Sequence, residues 1–299
     1  MKFFYSDVFN LNLPDGHRFP GGKYAMLRRA LVRQGVVREG QLHPSPSVEE
    51  ADLLRAHDPD YIASVDDGTI EPAAMRRIGF PWSAHIPRRA RATMGGAVAA
   101  ARAALEDGLS GQLAGGTHHA HYDFGSGYCV FNDFAVAALA VLHAGAAKRV
   151  AVIDLDVHQG DGNAAILGPR ADVFILSVHG EKNFPFRKVA SDLDVALPDG
   201  VEDEGYLRAL ADALPAVWGF RPDLVLYQAG VDPLAEDKLG RMALTHNGLT
   251  RRDEMVLAQC KARGVPVSMA IGGGYADPIE ASVAAYANTY RAAKGLWGF

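Results

Sequence analysis

The segment 150–161, V-A-V-I-D-L-D-V-H-Q-G-D, joins an apolar run to side chains that can bind a metal ion. Asp154, Asp156 and His158 stand at alternate positions, and alternate residues of a β-strand share one face of the sheet. Carboxylates and an imidazole at the end of a buried strand need a compensating cation or polar partners. Asp156 and His158 with one further carboxylate would suit catalytic zinc. The alternative, polar residues that only cap loops, fits a lone D-x-H better than this run.

Three later apolar runs also end in polar or glycine-rich residues, at 177–179 (S-V-H), 230–233 (G-V-D-P) and 272–275 (G-G-G-Y). The pair His118-His119 follows a further short strand candidate. Sites in parallel sheets lie at the carboxyl ends of the strands, so we expect these segments to meet. Asp232 is then the natural third metal ligand, although an Asp-Pro turn would explain it in isolation.

The adjacent histidines His118 and His119 are useful for catalysis only if each ring is oriented separately. A carboxylate bonded to one ring nitrogen fixes the tautomer and stabilises the imidazolium. Asp154 and Asp161 are spare carboxylates for His118 and His119 respectively. The alternative is a pair of surface-loop residues, and we leave His121 as a solvated or structural side chain.

Tyr275 follows three glycines, which allow a sharp turn and a close approach of the backbone. Its hydroxyl could donate a hydrogen bond to an oxyanion. The alternative is a buried aromatic ring beside a turn. The glycine run is not a phosphate-binding loop, since no G-x-x-x-x-G-K-[ST] pattern surrounds it.

The remaining pattern alternates apolar strands with helices, which predicts an α/β fold with a parallel sheet covered on both faces. Strands are predicted at 2–5, 111–116, 172–179, 223–230 and 265–272 and from 150 onward. Helices are predicted at 23–34, 94–106 (after Thr93), up to 143, 204–218, 249–263 and from 278 onward. No linker or repeat interrupts the pattern, so we expect a single domain over 1–299.

The composition narrows the class of protein. Hydrophobic residues make up 48% of the 299 positions and charged residues 22%, which argues against extensive disorder. The net charge of −5 and the lack of a lysine-rich block argue against a nucleic-acid partner. Only Cys129 and Cys260 are present, which fits a reducing compartment. Without a signal peptide or an apolar span, we expect a cytoplasmic protein and no membrane partner.

Taken together, five motifs resemble the zinc-dependent histone deacetylase family: G-G-T-H-H-A, G-Y-C-V-F-N-D, D-L-D-V-H-Q-G-D-G, A-G-V-D-P and I-G-G-G-Y. The resemblance extends over nearly the whole chain, and the motifs are jointly specific. The N-terminal L-P-D-G-H-R-F-P-G-G-K-Y is most similar to class IV deacetylases and their bacterial relatives. This resemblance implies the arginase–deacetylase fold, with an eight-stranded parallel sheet.

The resemblance also implies roles for individual residues. The zinc ligands would be Asp156, His158 and Asp232, with iron(II) as the alternative ion. Tyr275 would polarise the acyl carbonyl, beside the tandem histidines and their carboxylates. The walls of an acyl-lysine tunnel would include Gly127, Tyr128 and Phe184, with Tyr128 standing where relatives often carry Phe. A monovalent cation, K⁺ or Na⁺, would be held by Asp154, Asp156, His158 and Ser177.

Related manganese enzymes of the arginase type hold two metals with D-x-H-x-D and D-x-D patterns. Here Gly160 and Leu234 occupy the positions where the second metal would need carboxylates. We therefore expect one catalytic metal ion.

The function implied is removal of acetyl or longer acyl groups from the ε-amine of lysine. His119 would be the general base, and His118, kept neutral beside a cation-bound Asp154, would act electrostatically. A polyamine or other small-amide deacylase is the alternative enzyme. One polyamine-specific subgroup carries an acid seven residues after the third ligand, where this chain has Leu239. A non-catalytic acyl-lysine binding protein is the alternative of another class. The pattern does not predict the oligomeric state.

Overall fold

The computed structural model describes all 299 residues and contains one eight-stranded parallel sheet. The strands are β1 (Phe3–Tyr5), β2 (Leu42–Pro44), β3 (Leu109–Gln112), β4 (Val150–Asp154), β5 (Val173–Gly180), β6 (Leu193–Leu197), β7 (Leu224–Gln228) and β8 (Val267–Ala270). Their order across the sheet is β2-β1-β3-β8-β7-β4-β5-β6, and every neighbouring pair is parallel. The α/β fold with eight parallel strands is thus confirmed.

Ten α-helices connect and cover the strands. They are α1 (Lys23–Arg33), α2 (Glu50–Leu53), α3 (Pro59–Asp67), α4 (Pro72–Ile78), α5 (His85–Asp107), α6 (Asp133–His143), α7 (Asp161–Leu167), α8 (Asp203–Phe220), α9 (His246–Arg263) and α10 (Ile279–Trp297). A 3₁₀ turn spans Glu39–Gln41. None of these helices combines the length and apolar character that a membrane span needs.

The centre of the sheet is buried on both faces. Every residue of β4 and β7 is buried, which is the pattern of parallel strands covered by helices on each side. The α5 helix packs against β1, β3, β7 and β8, whereas α8 packs against β5 and β6. One cluster of 81 buried hydrophobic residues runs through these layers, so the strand ends that carry polar residues have a rigid base.

The predicted start of the alanine-rich helix is wrong. The α5 helix begins at His85, and Thr93 lies inside it instead of capping it. The Thr93 hydroxyl donates to the Arg89 carbonyl oxygen at 3.0 Å, one turn earlier. A threonine can satisfy its hydroxyl in this way within a helix, so its cap preference did not mark the end.

Several short strands and helices were not predicted from the sequence. The edge strands β2 and β6 are only partly buried, so neither carries a continuous apolar run. The helices α2, α4 and α7 have four to seven residues, too few for helical periodicity to stand out. In addition, β3 ends at Gln112, so the predicted 111–116 strand is mostly loop.

The assumption that Asp154, Asp156 and His158 share one strand face is also wrong. The β4 strand ends at Asp154, and the two later residues lie in the following loop. The Asp156 amide donates to Asp154 Oδ1 at 3.2 Å, and the His158 amide donates to Asp156 Oδ1 at 3.0 Å. Successive side-chain-closed turns, which Asp favours, therefore orient these residues.

Candidate active site

The predicted strand ends do come together. The loops after β3, β8, β7 and β4, which are consecutive neighbours in the sheet, surround a cavity of about 530 Å³. His118, His119, Asp156, His158 and Tyr275 all line this cavity. The site therefore occupies the carboxyl edge of the sheet, as expected for a parallel α/β fold.

The candidate metal ligands Asp156, His158 and Asp232 lie at the closed end of the site. His158 Nδ1 is 3.0 Å from Asp156 Oδ1 and 3.1 Å from Asp232 Oδ2. One potential ligand atom from each residue lies within 4.8 Å of the others. Each carboxylate is held through its other oxygen, since Gly273 N donates to Asp156 Oδ2 at 2.7 Å and Val157 N to Asp232 Oδ1 at 2.8 Å.

This donor set fits a divalent cation. Asp156 and Asp232 are at most 1% exposed, and burial together with the Asp156 charge raises the pKa of Asp232. Burial lowers the pKa of His158, but the two carboxylates outweigh it and raise that pKa to about 10. The folded protein therefore needs positive charge between these carboxylates. One imidazole nitrogen and two carboxylate oxygens are ligands that zinc accepts in catalytic sites.

The glycines around this group are required by close packing. A Cβ at Gly273 would stand 2.1 Å from Asp232 Oδ2, and one at Gly230 would stand 2.5 Å from Asp156 Oδ2. Gly272 also has a positive φ of 62°, which L side chains rarely adopt. The G-G-G segment therefore leaves room for the ligand carboxylates while it turns the chain toward Tyr275.

His118 lies between two carboxylates. Its Nδ1 is 2.8 Å from Asp154 Oδ2, and its Nε2 is 3.8 Å from Asp156 Oδ1. Burial lowers the pKa of His118, but the charges of Asp154 and Asp156 outweigh it and raise the pKa to about 9.

His119 pairs with the other predicted carboxylate, because its Nδ1 is 2.6 Å from Asp161 Oδ1. Its ring lies 4.8 Å from the Phe184 ring in an edge-to-face arrangement, centroid to centroid. Burial and the charge of His118 lower the pKa of His119 to about 4, against the opposing effect of Asp161.

The order of these two pKa values is the reverse of our sequence-based prediction, in which His118 stayed neutral. It reflects the protein's own charges, with Asp156 as an unneutralised carboxylate next to His118. A dication bound by Asp156, His158 and Asp232 would neutralise that carboxylate and would require an uncharged His158. Neutralising Asp156 would lower the pKa of His118, because the Asp156 charge raises it. Removing the charge of His158 would raise the pKa of His119, because that charge lowers it. A bound dication would therefore bring the two pKa values closer together.

Tyr275 lines the cavity, and no residue of the protein accepts a hydrogen bond from its hydroxyl. Its backbone amide donates to Asp237 Oδ2 at 2.6 Å, which anchors the turn. The Lys23 ammonium lies 4.8 Å from the Tyr275 ring centroid. Burial raises the pKa of Tyr275 well above its usual value, so the hydroxyl remains a hydrogen-bond donor at neutral pH.

The three predicted tunnel-wall residues line the same cavity, Gly127, Tyr128 and Phe184, and so does Leu239, the position considered for substrate selection. A Cβ at Gly127 would stand 2.7 Å from His119 Cδ2, so this wall lies directly against the histidine. The Tyr128 ring packs 5.1 Å from Phe19 and 6.1 Å from Tyr275, centroid to centroid. Leu239 is 44% exposed and marks the outer end of the wall.

Ser177 lies beside Asp154 in the pairing of β4 with β5, and both residues are buried. Its hydroxyl is 2.9 Å from His179 Nδ1. The structure thus places Ser177 beside Asp154, another of the predicted monovalent-cation residues.

Sequence reasoning missed several contributors. His121 Nε2 is 3.1 Å from Asp161 Oδ2, so Asp161 contacts both His119 and His121. Gln228 Nε2 lies 2.9 Å from His118 Nδ1. Lys23 is buried, and its Nζ donates to the Gly274 carbonyl at 3.1 Å. The spacing H-H-A-H was a signal that could have identified His121, whereas no local pattern marks a lysine 251 positions from its partner.

Comparison with known proteins identifies chains that are similar to this one over most of its length. A model of the histone deacetylase domain matches residues 17–290. An uncharacterized protein of Picosynechococcus sp. is 44% identical over 286 residues, covering 95% of each chain. Histone deacetylase 2 of Arabidopsis thaliana is 30% identical over 287 residues, which is 90% of this chain and 72% of that protein.

Among solved structures, the acetylpolyamine aminohydrolase of Burkholderia pseudomallei superposes with a TM-score of 0.81. The superposition covers 99% of both chains at 24% sequence identity. At that identity the likeness shows a shared fold alone.

Proposed function

We propose that this chain, which belongs to the histone deacetylase domain family, removes acyl groups from the ε-amine of lysine in peptides or proteins. Family membership makes it a hydrolase of amide bonds. The observation that carries the lysine assignment is a cavity of about 530 Å³ with apolar walls, lined by the two histidines, by Tyr275 and by two of the three candidate metal ligands, Asp156 and His158.

Zinc is the proposed ion, held by Asp156, His158 and Asp232. When bound, it supplies Lewis-acid chemistry, polarising an acyl carbonyl and lowering the pKa of water. The amides of Gly273 and Val157 fix the orientation of the two ligand carboxylates, so the protein is preorganised for that ion.

His119 is the proposed general base and later the general acid. The contact of Nδ1 with Asp161 leaves Nε2 without a partner in the protein and available for proton transfer. Nε2 would take a proton from the attacking water and then protonate the departing amine. His118, with carboxylates near both nitrogens, would act mainly by electrostatics and not by proton transfer.

Tyr275 is the proposed oxyanion donor. Its hydroxyl is protonated, and its turn is anchored by Asp237. A donor held in this way stabilises the negative charge that develops on the carbonyl oxygen.

We also propose that a monovalent cation binds beside Asp154 and Ser177. Support comes from the burial of Asp154, Asp156 and Ser177, with Ser177 of β5 paired to Asp154 where β4 ends. A cytoplasmic setting is supported by Cys129 and Cys260, which are buried and unpaired.

Acetylpolyamine is the competing substrate, and a binding protein without turnover is the competing class. Leu239 provides no carboxylate for a polyamine cation at the outer wall. The presence of His119, Asp161 and Tyr275 together would be unnecessary in a protein that only binds.

The test is a panel of lysine peptides carrying acyl groups from acetyl to myristoyl, together with acetylspermidine, with zinc-replete protein. We expect free lysine peptide as product and a lower kcat/KM for acetylspermidine. Preferred turnover of acetylspermidine would replace the lysine assignment with the polyamine one. Tight peptide binding without product would favour the binding protein.

A further inference from the structure

The outer part of the cavity carries positive charge on three sides. Arg77 comes from α4, Lys182 from the turn after β5 and Arg241 from the loop after β7, and all three line the cavity. The Lys182 and Arg241 side chains are 66% and 53% exposed, and Arg77 is also exposed. We call these three residues the cationic rim.

No acidic side chain that lines the outer part of the cavity neutralises the charges of the cationic rim. The only carboxylate that lines the cavity is Asp156, at its closed end. Outside the lining, Asp199 lies 3.8 Å from Lys182 and 3.3 Å from Arg241, so one carboxylate serves two cations. The nearby Asp237 carboxylate instead accepts the Leu239 and Gly240 amides. Glu181 precedes Lys182 in the sequence, and Asp123 precedes Phe124, over whose ring the Arg77 guanidinium lies, but neither carboxylate lines the cavity. The whole chain has a net charge of −5, so the positive charge of the rim is a local property of the cavity mouth and not of the protein surface as a whole.

The rim also offers apolar surface to a bound chain. Phe186 is 84% exposed and Leu239 is 44% exposed, and both line the same cavity as the three cations. The acyl-lysine side chain would extend inward past Phe184, leaving the residues next to it in the peptide at the rim. The rim charges would therefore meet flanking residues of the substrate and not the acyl group.

We propose that the preferred substrates are peptides with acidic residues beside the acylated lysine, selected by Arg77, Lys182 and Arg241. This inference rests on the proposed lysine deacylase activity and specifies its substrate class. Complementary charges at an exposed rim speed association and discriminate between partners. A peptide flanked by lysine or arginine, or a cationic polyamine, meets repulsion at the same place.

The experiment compares three acetyl-lysine peptides of equal length, flanked by Asp and Glu, by Ser and Gln, or by Lys and Arg. For the wild-type protein we expect kcat/KM to fall in that order, with an overall difference of about fivefold or more from several exposed charge pairs. The difference should lie in KM, because rim contacts are equal in the ground and transition states. It should shrink in about 1 M salt, where charges are screened beyond about 3 Å.

Lys182→Glu should reduce the ratio between the acidic and basic peptides by about two- to fivefold. Lys148→Glu is the matched control. Lys148 is exposed and lies just before β4, at the amino-terminal ends of the strands and so on the opposite side of the sheet from the cavity. This substitution makes the same charge change and should leave the ratio unaltered. Equal kcat/KM values for the three peptides, or a preference for the basic one, would overturn the proposal.

Binding separates this inference from the proposed activity. The same peptides with the amide nitrogen replaced by methylene are ketones that cannot be hydrolysed, and their affinities can be measured by fluorescence anisotropy. Acid-flanked ketones should bind most tightly to the wild-type protein and lose that advantage with Lys182→Glu. Absence of turnover with every amide peptide would contradict the deacylase activity, whereas tightest binding of the base-flanked ketone would contradict the cationic rim.

Discussion

The two ends of the cavity are built in opposite ways. At the closed end, His118, Asp156 and Asp232 are at most 3% exposed, and each has fixed polar partners. At the mouth, Phe186, Lys182 and Arg241 are more than half exposed and contact few polar groups. A buried polar group that loses its partner is costly, whereas a solvated one is replaced by water. We therefore expect substitutions to lose effect from the closed end outward.

The largest effect is expected for Asp232→Ala, which removes a buried ligand from the closed end. The protein should lose most of its zinc and its turnover, because only two of the three proposed ligands would remain. Elemental analysis after dialysis measures the zinc. Asp199→Ala is the control at the mouth and should keep one equivalent of zinc. Full zinc content in Asp232→Ala would show that another residue is the third ligand.

His119→Ala should lower kcat by about 10² to 10⁴ through loss of the general base. His118→Ala should retain measurable turnover with an altered pH profile. The two variants must be compared at equal zinc content, since loss of metal would mimic either result. A slower His118→Ala enzyme would reverse the proposed roles of the two histidines.

Tyr275→Phe should lower kcat by roughly 10² to 10³, the range seen when one oxyanion donor is removed. Folding should be nearly unchanged, because the ring is kept and the hydroxyl has no protein partner. Tyr128→Phe, which deletes a hydroxyl farther along the wall, should change kcat only a few-fold. Near-wild-type turnover of Tyr275→Phe would remove this residue from the chemistry.

His57, which is buried behind the His118–His121 loop, should make the free energy of unfolding depend on pH below neutrality. Its Nδ1 lies 3.0 Å from the His121 carbonyl, and its Nε2 accepts from the Asn132 amide at 2.8 Å. Burial lowers the pKa of His57 to about 4. Since this folded-state pKa is below the unfolded value of about 6.5, the unfolded chain binds the proton first as pH falls.

The contribution of His57 is therefore fully present above pH 6.5 and is lost as pH falls toward 4. Its size is on the order of 3 kcal/mol in the free energy of unfolding. Urea unfolding between pH 7 and pH 4 measures it, with His57→Gln expected to show a shallower pH dependence than wild type. His43→Gln is the control, and an equal slope for His57→Gln and wild type would contradict this account.

The smallest effect is expected at the mouth. Leu239→Glu adds a carboxylate where the wall meets solvent, and an exposed charge pair contributes about 1 kcal/mol or less. We expect kcat/KM for acetylspermidine to rise up to about fivefold, with zinc content unchanged. Leu239→Gln controls for polarity without charge. A much larger gain would mean that the mouth controls specificity more strongly than its exposure suggests.

The same contrast explains what could be read from the sequence. The central strands are continuous apolar runs, so their number, direction and polar ends were predictable, and Asp232 followed from them. The turn that orients Asp156 and His158 was misassigned to a strand, because alternate spacing also fits consecutive Asx turns.

Long-range partners were not predictable. Lys23 reaches the turn at Gly274, and Gln228 reaches His118, through the fold and not through any local spacing. The cationic rim is assembled from three separate segments of ordinary surface composition. The order of the histidine pKa values depends on distances to several charges, which spacing alone does not provide.

The most direct test of the central claim is a zinc titration of metal-stripped protein, with deacylation of an acetyl-lysine peptide as the readout. We expect no turnover without metal, a linear rise to a plateau at one equivalent of zinc, and no recovery for Asp232→Ala. Turnover by the stripped protein, or a plateau only at two equivalents, would contradict a single catalytic ion held by Asp156, His158 and Asp232.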